Sequence, residues 1–126
     1  MSEEIKWIDR TQLSANTAGD AELAREVLEI FKGQVETWGQ MLNAADDPAR
    51  WADAAHTIKG AALGIGALPL ADVCKAAETV GRSEDIVTRT QAAVLLNDIR
   101  DALLPTLEAV AKIDHELLVS GSFRAS

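Results

Sequence analysis

The sequence predicts an all-α protein, an antiparallel up-down four-helix bundle with a short N-terminal helix or arm. Three observations lead there. Ala and Leu dominate the apolar set, aromatics make up only 4% and tyrosine is absent, so strands would lack the β-branched and aromatic residues they favour. Apolar residues recur every three or four positions over long stretches. The connections between those stretches are about three to six residues, short enough to join antiparallel neighbours. At 126 residues the chain suits one domain, taken as 1–126 with its core at about 20–118.

Ile5 to Leu13 reads as the short helix or arm, and Ser14 to Gly19 as a turn ending in a helix cap at Asp20. The first long helix then spans Ala21 to about Ala45, with apolar residues at Leu23, Val27, Ile30, Phe31, Val35, Trp38 and Leu42. Asp46-Asp47-Pro48 closes it and opens the second, from Pro48 to about Ile65, with proline in the first turn, where its missing N–H is harmless. After a turn at Gly66, a third helix carries Leu70, Val73, Ala77 and Val80 between Pro69 and Val80 and stops at Gly81. The fourth, Ile86 to Val119, shows Leu96, Ile99, Leu103, Leu107, Val110 and Leu117. Pro105 inside it predicts a kink near 101–105. The tail 120–126 is expected to be loose.

Charge narrows the partners. A formal net charge of -8 repels nucleic acid and anionic membranes, so a protein partner or a small ligand is indicated. The acidic start Met1-Ser2-Glu3-Glu4 does not resemble a signal peptide and no window approaches a membrane span, so a cytoplasmic protein is expected. The single cysteine, Cys74, has no internal disulfide partner and reads as a small core residue in a reducing compartment.

The chemistry-bearing segment runs from Ala55 to Ala67. At about 100° per residue with His56 at zero, Trp51, Ala54, Ala55, Ile58, Ala61, Ala62 and Ile65 fill an arc from about 140° to 260°. That arc is the core face, so His56 points away from the core. Ala52, Lys59, Gly60, Leu63 and Gly64 share its outward stripe, within about 80°. Two mid-helix glycines cost about 1 kcal/mol each relative to alanine and call for a reason. Helical side chains lean toward the N-terminus, so a residue at i+4 would cover the imidazole, and Gly60 leaves it bare. Imidazoles titrate near neutrality, so an exposed one offers a neutral nucleophile to an approaching phosphoryl donor. Lys59, at i+3, can set an ammonium beside phosphoryl oxygens, where charge stabilisation is the main help a protein gives. Leu63, two turns on from His56, presents an apolar surface for docking, together with Ala52, Gly60 and Gly64.

His56-Thr-Ile-Lys59-Gly60-Ala-Ala, continued by Ile65-Gly66-Ala67, resembles the signature of the histidine-containing phosphotransfer (HPt) family: His-x-x-Lys-Gly, two small residues, then a Leu-Gly-Ala-like end. Leu68 to Glu78 resembles that family's next helix, Leu28 to Phe31 its preceding one, and the resemblance covers about residues 20–118. Ala61 and Ala62 stand where the family often has serine, which removes a possible hydroxyl contact to the phosphoryl group. The resemblance implies a phosphoryl relay in a two-component phosphorelay. His56 would be phosphorylated on Nε2, and the partners would be response-regulator receiver domains and a hybrid histidine kinase. A divalent cation would sit on the receiver and no cofactor on this chain. The protein would be a monomeric carrier rather than an enzyme.

Two other readings remain open on the residues: the phosphoacceptor domain of a chemotaxis-type kinase, and a helical adaptor that docks through the Ala52–Gly64 face without phosphorylation. A metabolic enzyme fits less well, since Asp53, at i−3, is the only acid or base at helical spacing from His56. The glycines at 60, 64 and 66 lie in or just beyond a helix, unlike a nucleotide-cradling loop after a strand. His115 lacks the Lys-Gly context and reads as a solvated helix residue, Asp46 and Asp47 as caps, and no His or Cys cluster has metal-ligand spacing.

Overall fold

The computed structural model describes residues 6–123. Five helices follow in order: α1 (Arg10–Asn16), α2 (Ala21–Gly39), α3 (Pro48–Gly64), α4 (Leu68–Gly81) and α5 (Arg89–Ser120). Each of the four long helices packs against its neighbours in the chain, and α5 closes the ring against α2. The expected all-α bundle stands, with a short helix before it.

The caps explain where the helices begin. Asp9 accepts hydrogen bonds from Thr11 N and Gln12 N, so α1 starts at Arg10 rather than Ile5, which lies outside the described residues, and it continues through Ser14 to Asn16. The turn is therefore shorter than expected. Asp20 caps α2 through Leu23 N and Asp47 caps α3 through Ala49 N, while Thr88 and Gln91 form a capping box at the start of α5.

α2 ends at Gly39, short of the expected Ala45. Leu42, beyond that end, turns back into the core, and its carbonyl accepts a hydrogen bond from Arg100 of α5. The buried face of α2 also differs from the expected stripe: Ala21, Ala24, Leu28, Phe31 and Val35 are buried, whereas Leu23 and Ile30 are exposed. The small Ala21 and Ala24 let neighbouring helices approach there, and Leu23 and Ile30 sit one residue, about 100°, off that line. On α3 the expected core arc holds, with Trp51, Ala54, Ala55, Ile58, Ala62 and Ile65 buried and Ala61 partly so. α5 runs unbroken through Pro105. Gly121 ends it in the left-handed region, and Phe123, in the tail expected to be loose, is partly buried against the core.

The C-terminal end of α3 is tied down by the N-terminal segment. Asn16 Nδ2 donates to Gly64 O (3.0 Å), one of the carbonyls that a helix end leaves without a partner. Gly66, at φ +76°, accepts from Asp9 N through its carbonyl (2.8 Å), and a Cβ there would lie 2.6 Å from Asp9 O. Only glycine fits that position. These ties hold the helix that carries His56 at its far end.

Candidate functional site

His56 leaves the middle of α3 with its side chain 59% exposed, as the periodicity indicates. Gly60 is exposed, and a Cβ placed on it would meet nothing within 4 Å. A Cβ on Gly64 would likewise meet nothing within 4 Å. Neither glycine serves close helix packing, so the surface beside the imidazole is open. Leu63 is 48% exposed, and Lys59 is half-buried.

Ala52 is a correction. Expected on the outward stripe, it is fully buried. A Cβ on Gly81, the last residue of α4, would lie 2.8 Å from Ala52 Cβ and 2.7 Å from Trp51 Cζ3. α4 thus crosses α3 at a glycine and covers the first turn of the stripe, which leaves Gly60 and Leu63 open and Gly64 half-buried. Ala52 takes no part in a docking surface.

α4 also brings the partner that helical spacing on α3 did not offer. Glu78 Oε2 lies 2.7 Å from His56 Nδ1, and Glu78 Oε1 accepts from Lys59 Nζ at 2.6 Å. Arg82, one turn further along, donates from Nε to Glu78 Oε2 (3.2 Å) and from Nη2 to Asp53 Oδ1 of α3 (2.9 Å). The outward face, where the sequence placed Lys59 as the one charged residue on the stripe, therefore carries an ionic network, its hub a carboxylate only 14% exposed. The Lys59 hydrogen bond, foremost, with those of Arg82 and His56, outweighs the desolvation of Glu78 and pulls its carboxyl from 4.5 down to about 2. Beneath them Cys74 is buried and unpaired, and burial pushes its thiol up to about 12, so it is no nucleophile at neutral pH.

A carboxylate that stays ionised to about pH 2 can only accept, so Nδ1 of His56 must donate to it. In the neutral ring the lone pair then falls on Nε2, the nitrogen away from Glu78. The arrangement can present one oriented nitrogen nucleophile, on an exposed ring, beside an ammonium.

Glu78 and Arg82 went unassigned from sequence. A signal for them exists in hindsight: they form an i, i+4 acid–base pair beside the buried line Leu70, Ala71, Cys74 and Ala77 of α4. His115 is exposed, as expected. Among the described residues no group of three His, Cys, Asp or Glu side chains is placed to hold a metal ion, and no helix is long and apolar enough to cross a membrane.

The family model for the Hpt domain matches residues 21–117. Among solved structures, the histidine phosphotransferase ShpA from Caulobacter crescentus is similar, at 34% identity over 92% of this chain and 98% of its own, with a TM-score of 0.69. No curated protein matches.

Proposed function

The chain belongs to the Hpt domain family and is a histidine phosphotransfer protein of phosphorelays, and from that premise we propose that His56 carries the phosphoryl group, with Lys59 stabilising it. The observation that carries this assignment is the pairing of His56 Nδ1 with Glu78 beside the bare surface at Gly60. His115 has no comparable setting.

The Nε2 lone pair attacks the phosphorus of a receiver's aspartyl phosphate. The N–P bond forms, the acyl P–O bond breaks, and the aspartate leaves as a carboxylate with the bonding pair. The phosphorylated ring carries a positive charge with Nδ1–H still in place, and the Glu78 carboxylate, 2.7 Å away, stabilises that charge. No proton has to move in either direction. Lys59 offsets the negative charge on the phosphoryl oxygens. Transfer to the next receiver reverses the same steps.

Gly60, Leu63 and Gly64 form the docking surface for response-regulator receiver domains, one of which takes its phosphoryl group from a hybrid histidine kinase. The divalent cation needed at the aspartate belongs to the receiver, and this chain supplies no cofactor and no catalysis of its own. We further propose that it acts as a monomer in the cytoplasm, where the unpaired Cys74 stays reduced.

The test is incubation with phosphorylated receiver domains. An acid-labile, alkali-stable phosphoryl group should appear on the parent and be absent from His56→Gln, whose folding stability should stay within about 0.5 kcal/mol of the parent because the side chain is mostly exposed. Labelling of His56→Gln would remove His56 from the role. A parent that binds receivers yet never takes the label would be a docking adaptor.

A further inference from the structure

Arg82 stands apart from the other described cations. Arg10, Arg25 and Lys32 each pair with a single carboxylate, whereas Arg82 bridges two, Glu78 on its own helix and Asp53 on α3. It reaches the same Glu78 oxygen that faces His56 Nδ1.

Charge balance shows why that matters. Asp53 and Lys59 of α3 and Glu78 and Arg82 of α4, the charged groups paired around His56, sum to zero, two of each sign. A phosphoryl group on the ring puts roughly one and a half to two negative charges on its oxygens at neutral pH, which the positive charge of the ring offsets only in part. Lys59 is the cation that can turn to it, but in the resting protein its ammonium sits 2.6 Å from Glu78 Oε1. If Lys59 turns to the incoming phosphoryl group before the N–P bond has given the ring its positive charge, Glu78 is left short of a counter-charge unless another cation stays behind. Arg82 supplies one, and its second hydrogen bond to Asp53 anchors it.

We propose that Arg82 is a positioning residue for the transfer: it neutralises and holds Glu78, so that Lys59 is released to the phosphoryl group while Glu78 keeps its grip on Nδ1. This rests on His56 being the phosphoacceptor. Arg82 itself hydrogen-bonds to Glu78 and Asp53 and not to His56.

Single-turnover transfer from a phosphorylated receiver tests it, with receiver concentration varied to separate binding from the transfer step. Arg82→Gln should slow the transfer step about fivefold, the scale of one partly screened charge at this range, leave receiver affinity unchanged and lower the melting temperature by no more than about 4 °C, the scale of a lost surface ion pair. Arg82→Lys should restore most of the rate. The penalty of Lys59→Ala should shrink in the Arg82→Gln background, because Glu78 already holds Lys59 back there. Three outcomes would overturn the proposal: an unchanged rate in Arg82→Gln, a loss confined to receiver affinity, or a Lys59→Ala penalty equal in both backgrounds. Failure of the parent to be labelled at His56 would instead strike the phosphoacceptor assignment, and the role of Arg82 with it.

Discussion

Gly60→Leu separates stability from function in opposite directions. Gly60 lies inside α3 with a helical backbone, and a Cβ there meets open space. Replacing glycine by a good helix former in such a position should stabilise the fold by about 0.8 kcal/mol. A chain of 126 residues unfolds with an entropy of about 0.26 kcal/mol/K, so the melting temperature should rise by about 3 °C. The new side chain leans one turn back, over the imidazole. In-line attack needs Nε2 within about 3.5 Å of phosphorus, and misplacement on the order of 1 Å costs about a hundredfold, so transfer should slow by roughly tenfold to a hundredfold. Thermal melting by circular dichroism and single-turnover transfer from a phosphorylated receiver read the two effects. Gly60→Ala should give the same stability gain with a smaller slowing. A fall in melting temperature would make Gly60 a packing contact, and an unchanged rate would mean that the bare patch is not the route by which the donor arrives.

Gly81→Ala should do the reverse of Gly60→Ala: its methyl would lie 2.7 Å from the Trp51 ring and 2.8 Å from Ala52 Cβ, an overpacking of about 1–3 kcal/mol that lowers the melting temperature by about 4–11 °C. A melt at or above that of the parent would show that α3 and α4 part without cost. Leu63→Asp removes an exposed leucine, so receiver binding and transfer should weaken while melting stays close to the parent, and a collapsed melt with intact binding would place Leu63 in the core. Glu78 binds its proton far more weakly in the folded chain, at about 2 against the ordinary 4.5. The stability it contributes is therefore complete above pH 4.5 and disappears as the pH falls toward 2. The gap in denaturant midpoint between the parent and Glu78→Gln should close over that window, and a gap independent of pH would refute the ionic account of the site.

Much of this was legible in one dimension. The three-and-four spacing and Asp-Pro and Gly punctuation located four long helices, and the α3 core arc placed His56, Gly60 and Leu63 on the outside, where they are found. The α2 stripe was misread at Leu23 and Ile30, because periodicity does not distinguish between two apolar lines 100° apart when the true one contains alanines. The end of α2 was also misjudged, since a buried Leu42 looks the same in sequence whether it continues a helix or folds back from a turn.

The sequence by itself determined the angular order of side chains around each helix, because that depends only on 3.6 residues per turn. It therefore determined that His56 faces outward, with Lys59 one turn along and no side chain at Gly60. Which neighbour covers which part of the outward stripe was decided only by tertiary packing. The approach of α4 at Gly81 buried Ala52, and the same crossing brought Glu78 and Arg82 against His56, Lys59 and Asp53. His56 and Glu78 are 22 residues apart in the chain. The tautomer of the imidazole rests on that meeting, because a carboxylate can direct the ring's proton only from hydrogen-bonding distance, which the crossing of α3 and α4 alone sets.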